Sequence, residues 1–260
     1  MEAMKGGAKL ENRTFIYDKK NNVIYFSILY ILILSLKYNS LMEFTILWIS
    51  YIILTGNILR IPKNNVFTKI IRYMLYTFLC YCPLFFSSSK VNIRFSLIED
   101  VGVVLIGMLF LFLERKKYRL LLSEQFLLSI PKKELNEYVL KVIQLVYASI
   151  GEEIFFRWYI LNLPLPLSIK CTISSMYFIL YHYVTPWGSL FSKKDLVKQL
   201  FVSLISTILF MLNENIVPSI ILHLTVNSVP MIVNLKNIKY HYIEGKGINK
   251  NFNIDDENLF

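Results

Sequence analysis

Alanine and cysteine are almost missing from this chain, with three of each in 260 residues. The cysteines, Cys80, Cys82 and Cys171, fall in or at the ends of apolar runs. Cys-x-Cys is neither a zinc nor a thioredoxin spacing, so all three read as small buried apolar residues. Charge is sparse too: 18% of residues are charged against 55% apolar, and mean hydropathy is +0.49. That balance excludes an ordinary soluble domain and points to a membrane protein. There is no internal repeat, no low-complexity run and no second domain. A cleavable signal peptide is not expected, because residues 1–22 are polar and charged and no small-residue cleavage site follows the first apolar run. Tracts of clustered basic and aromatic residues are missing as well, which argues against nucleic acid as a partner. The net charge of +10 fits a basic face turned to anionic membrane lipid.

What is present in abundance is apolar sequence in long runs. A bilayer-spanning helix takes about 20 mostly apolar residues. Eight segments qualify, at about 23–38, 41–59, 70–86, 97–113, 138–161, 171–188, 197–216 and 217–235, the first of them the shortest. Lysine and arginine distribute unevenly around them. Five alternate segments on one side hold 22 cations and the four opposite loops hold 4, which predicts cytoplasmic termini. The expectation is an all-α membrane protein, a polytopic bundle of about eight transmembrane helices with a polar intramembrane site. Its parts are a cytoplasmic tail over 1–22, N-terminal transmembrane helices over 23–137, a catalytic core over 138–235 and a cytoplasmic tail over 236–260.

The site is suggested by residues that an apolar span should not contain. An ionisable side chain inside a span costs roughly 2.5–3.5 kcal/mol on insertion scales and is a functional candidate by default. In the last four spans these are Glu152, Glu153, Arg157, His182 and His223, with Asn227 as an amide. Glu153 and Arg157 are four apart, acid before base, the favoured order for a pair on one helix face. Glu152 is rotated about 100° from that pair and keeps its carboxylate for other work. His223 and Asn227 are also four apart. At 1.5 Å per residue, Glu152, His182, His223 and Asn227 fall roughly 9–16 Å from the outer ends of their helices, so three helices can bring them to one layer. Read singly, the ion pair could be a structural tie, each histidine a packed hydrogen-bonding residue, and Asn227 interhelical glue. It is the combination that suggests chemistry.

In that order, E-E-x-x-x-R (Glu152, Glu153, Arg157), F-x-x-x-H (Phe178, His182) and H-x-x-x-N (His223, Asn227) resemble the three motifs of the CAAX prenyl protease and bacteriocin-processing family, also called CPBP or Abi. The resemblance covers roughly residues 138–235, including "NIVPSIILHLTVNS". It implies a helical intramembrane endopeptidase in a cell membrane, bacterial by the kind of member it is most similar to. Its substrate would be a membrane-associated or prenylated CAAX-type protein or peptide. Carried over, Glu152 is the general base that activates water together with His182, His223 and Asn227 donate to the oxyanion, and Glu153 with Arg157 holds the site in shape. The chain departs from the pattern at Trp158, where many members carry glycine, and a large indole there would narrow the substrate entrance. The chain's own end, "ENLF", lacks the cysteine of a CAAX box.

Two choices remain open at this level. Two histidines and a glutamate are common catalytic zinc ligands, but H-E-x-x-H is absent and asparagine is a poor fourth ligand. The expectation is therefore no cofactor, with zinc as the competitor. Function has rivals of other classes: a bacteriocin self-immunity protein that acts by binding in the membrane, or a transporter whose buried carboxylates relay protons.

Overall fold

The computed structural model describes residues 21–62, 64–184 and 192–245. Both tails beyond these bounds, and the expected end of the sixth span up to residue 188, lie outside the described residues. Most of the described residues lie in helices. In chain order they are α1 (Asn21–Lys37), α2 (Met42–Asn57), α3 (Val66–Phe78), α4 (Pro83–Phe86), α5 (Leu97–Leu113), α6 (Arg115–Leu121), α7 (Glu124–Ser129) and α8 (Leu135–Glu153). After α8 come a π-helical turn (Ile154–Tyr159), α9 (Ile160–Asn162), α10 (Leu167–Val184), α11 (Lys193–Asn213), α12 (Val217–Val226), α13 (Ser228–Ile238) and a second π-helical turn (Lys239–Ile243). Among the described residues no strand occurs.

Local chemistry sets several ends. Asn65 opens α3 with a reciprocal capping box to Thr68, and Ser192 opens α11 the same way with Asp195. These side chains satisfy amide donors that the first helical turn leaves unpaired. At its far end α11 stops at Glu214, which turns left-handed (φ 49°) while its N–H still reaches the Phe210 carbonyl at 2.7 Å. Pro230 lacks an N–H and cannot bond the Val226 carbonyl, and the last long helix breaks there. Asn227 sits at the break with φ −84° and ψ 2°, and the two halves meet at 53°. The expected span over 217–235 is thus two short helices.

Each expected apolar segment falls on a helix or on a pair of consecutive helices. Among the described residues, one helix, Lys194–Asn213, is long and apolar enough to cross a membrane alone, and the bent pair Val217–Val226 with Ser228–Ile243 passes as a second. Helix lengths therefore do not by themselves set the number of crossings at eight. Large apolar side chains face outward along the helices, among them Phe26 and Leu36 on α1, Ile98 and Leu105 on α5, and Leu212 on α11.

Inside, an aromatic-rich core joins α2 to the end of α8 and to α10. Phe44, Trp48, Tyr51, Phe155, Phe156, Tyr177, Phe178 and Tyr181 all belong to it. Helix α8 runs between α3 and α13 and touches α12, while α12 packs along α5. That last approach is close, since a Cβ on Gly107 would lie 2.6 Å from Thr225 Cγ2. The polar ends of α8, α10 and α12 are thereby drawn together behind a wall of apolar helices.

Candidate active site

The centre is the C-terminal end of α8. Tyr81 stacks on Tyr147 with ring centroids 4.6 Å apart and donates its hydroxyl to the Tyr147 carbonyl at 2.6 Å. Its ring edge lies where a side chain at 151 would be, with a Cβ there only 2.5 Å from Tyr81 Cε2. Glycine before the paired glutamates is thus a condition for this contact. Beyond Glu153 the helix widens into its π turn, a feature often found at functional sites. Two carbonyls of that turn accept from side chains instead: Phe156 from Ser174 Oγ and Trp158 from Asn162 Nδ2, both at 2.7 Å. The apolar segment expected over 138–161 is therefore divided among α8, the π turn and α9.

Glu153 and Arg157 are fully buried and paired, Oε2 to Nε at 3.2 Å. The guanidinium lies 4.3 Å over the Phe178 ring, and Nη2 reaches the Ser203 carbonyl on α11 at 3.5 Å. Glu153 Oε1 receives His223 Nδ1 at 2.8 Å. One carboxylate therefore holds both the arginine of its own helix and the histidine of α12.

Glu152 is arranged differently. Its Oε2 lies 3.5 Å from His182 Nε2 and 3.7 Å from His223 Nε2, and that oxygen has no hydrogen bond within the protein. The rings are oriented from behind. His182 Nδ1 is 2.9 Å from the Phe178 carbonyl. A carbonyl can only accept, so Nδ1 carries the proton and Nε2 is the nitrogen that faces Glu152. At these separations the Glu152 oxygen faces both imidazole edges without a hydrogen bond to either. The same three side chains offer ligand atoms within 4.8 Å of one another, close enough to hold a metal ion.

Asn227 takes a separate place. Its Nδ2 donates to Ser149 Oγ at 3.1 Å, and Ser149 in turn donates to the Leu145 carbonyl at 2.8 Å. The structure therefore brings Glu152, His182 and His223 into one cluster and Glu153, Arg157 and His223 into an adjoining one. Asn227 stands about one helical turn down α8 from both. Sequence reading missed Ser149 and Tyr81. Pro230, three residues after Asn227, was the available signal for the helix break. Trp158 is buried in the core and donates its indole N–H to the Lys90 carbonyl at 3.1 Å, so it ties down the segment between α4 and α5 instead of standing at an entrance.

Residues 134–229 match the model of a family described as Type II CAAX prenyl endopeptidase Rce1-like. The matched stretch contains Glu152, Glu153, Arg157, His182, His223 and Asn227, and it bears out the family resemblance drawn from the motifs. The similarity is to a family of CAAX prenyl endopeptidases and covers less than half of the chain. No curated protein and no solved structure matches the chain.

Proposed function

We propose that this protein is an intramembrane endopeptidase that hydrolyses a peptide bond in a membrane-associated or prenylated CAAX-type protein or peptide, with water activated by Glu152 and His182. The observation that carries this reading is the buried Glu152 oxygen set 3.5 and 3.7 Å from two imidazole nitrogens. Hydrolysis needs a base for water and donors aimed at developing negative charge. Glu152 takes the proton from water while His182 Nε2 accepts its second hydrogen. The hydroxide oxygen bonds to the scissile carbonyl carbon, and the carbonyl oxygen becomes the oxyanion. His223 and Asn227 donate to that oxyanion. Collapse of the intermediate breaks the C–N bond, and Glu152 returns its proton to the leaving amine. With Nδ1–H on the Glu153 carboxylate, donation from Nε2 as well makes the His223 ring an imidazolium. Glu153 balances that charge, and Arg157 fixes the position of Glu153.

A zinc reading has its own support, since a carboxylate and two imidazoles are a common catalytic zinc set and here their ligand atoms lie within 4.8 Å. If Glu152 were a ligand, however, the water would need another base. The neighbouring carboxylate, Glu153, is tied to Arg157 and His223. The metal-free reading needs no further group. It predicts cleavage that survives exhaustive chelation, in purified protein without stoichiometric metal. One zinc per chain, lost and regained together with activity, would overturn it.

For the placement in the membrane we propose eight crossings with both termini in the cytoplasm, supported by the 22-to-4 division of cations. A reporter fused after Lys236 should read cytoplasmic. An external signal would sink the arrangement.

A further inference from the structure

We infer that Ser149 is a positioning residue that fixes which end of the Asn227 carboxamide faces the reaction. The inference rests on the peptidase reading above and extends it to a residue outside the three motifs. Ser149 is fully buried, three residues before Glu152 and four before Glu153 on the regular part of α8, so it shares their helix face. A serine hydroxyl has one hydrogen, and here that hydrogen goes to the Leu145 carbonyl at 2.8 Å. Toward Asn227 the oxygen can therefore only accept. Asn227 meets it with Nδ2, at 3.1 Å.

The consequence is directional. A carboxamide presents either two N–H donors or a carbonyl acceptor, and its two ends are alike in size. At a site for a developing oxyanion, the carbonyl end would repel the charge that the amide end stabilises. Because Ser149 accepts, the flipped carboxamide would set its own oxygen against the serine oxygen with no hydrogen between them. The amide end is held, one N–H is committed to Ser149, and the second N–H is left for substrate. Asn227 sits at the break between α12 and α13, and its backbone N–H bonds the His223 carbonyl at 2.9 Å, which leaves the rotation of the carboxamide to its side-chain partner. Its own carbonyl receives only a long 3.5 Å contact from the Met231 N–H.

The test uses the full-length chain in detergent, with a farnesylated CAAX-type peptide as the cleavage probe and thermal unfolding as the control for folding. Ser149→Ala should lower kcat about 10-fold or more with KM unchanged, and Ser149→Thr, which keeps the hydroxyl, should restore most of it. In an Asn227→Ala background, Ser149→Ala should cost nothing further, because the group it orients is gone. Full kcat in Ser149→Ala, or losses that multiply in the double variant, would overturn the inference. A second measurement needs no turnover: the Asn227 side-chain amide resonances of 15N-asparagine-labelled protein, assigned by their loss in Asn227→Ala, should move in Ser149→Ala and stay close to wild type in Ser149→Thr. Resonances that do not move in Ser149→Ala would also overturn it. If the wild-type chain fails to cut the probe, the peptidase reading for that substrate fails, and the resonance measurement still decides whether Ser149 orients the amide.

Discussion

Two networks of charged side chains, one between α6 and α11 and the other among α8, α10 and α12, are built on different rules. One joins the start of α6 to the start of α11. There Glu114 accepts from Lys198 at 2.9 Å and from Tyr118, Lys198 also donates to Tyr118 at 2.6 Å, and Lys117 pairs with Asp195 at 2.9 Å. Asp195 further accepts from the Ser192 amide and hydroxyl. The acids and bases balance, and the carboxylate oxygens named here all have donors. The other network is the site, and there Glu152 Oε2 is buried with no hydrogen bond in the protein. Stability favours the first arrangement, since a buried acceptor without a donor costs about 1–3 kcal/mol. A saturated carboxylate is a tie, whereas an unsaturated one is available to a proton on something else.

The adjacent glutamates bring the comparison within one helical turn: Glu153 is paired with Arg157 and His223, whereas Glu152 faces two imidazoles at 3.5 and 3.7 Å. Glu152→Gln removes the proposed base and leaves no buried cation without its partner. Cleavage should fall by about 10²–10⁴-fold, with thermal stability unchanged or improved. Glu153→Gln should also lower cleavage, but through lost stability. It leaves Arg157, fully buried, without its counter-charge, and breaking a buried pair from one side costs about 3–5 kcal/mol. Unfolding in detergent and cleavage rate, measured on both variants, separate the two. A Glu152→Gln protein that cleaves at the wild-type rate would end the assignment of the base. A Glu153→Gln protein as stable as wild type would show that the guanidinium has other support.

These contrasts explain what was legible in the sequence. Charged residues in apolar runs are conspicuous because each carries a large penalty, so Glu152, Glu153, Arg157, His182 and His223 could be picked out before any fold was known. Spacing supplied the Glu153–Arg157 pairing, since residues four apart share a helix face whatever surrounds them. Ser149 carries no such mark: serine sits cheaply in an apolar helix by bonding its own backbone, and only a neighbour on another helix gives it a task. Tyr81 was hidden for a similar reason, as one of seventeen tyrosines in the chain. The π turn after Glu153 is set by packing, with Ser174 from α10 taking up the Phe156 carbonyl, and no periodicity in one segment encodes that. Helix positions followed the apolar runs well. The number of membrane crossings did not follow from helix length, because several of the helices are too short or too bent to decide it.

The smallest effect belongs to the saturated network. Burial raises the Glu114 carboxyl, but hydrogen bonds from Tyr118 and Lys198, with the charges of Lys198 and Lys117, outweigh it and hold the group below its ordinary value of 4.5. A carboxyl lowered in the folded state contributes stability that is fully present above the unfolded value and is lost as pH falls through the folded one. Lys198→Met deletes one of those donors together with its charge. The expected loss near pH 7 is about 1 kcal/mol or less, the range for pairs that solvent still reaches. The gap between variant and wild type should close as pH drops below about 4.5 and Glu114 protonates in both. Cleavage at pH 7 should not change, since no atom of this network enters the site. Unfolding curves of the two proteins from pH 7 down to pH 3 would test this. A gap that persists undiminished in acid would mean that Lys198 stabilises the helix ends through its packing on the Tyr118 ring, 5.3 Å away, and not through its charge.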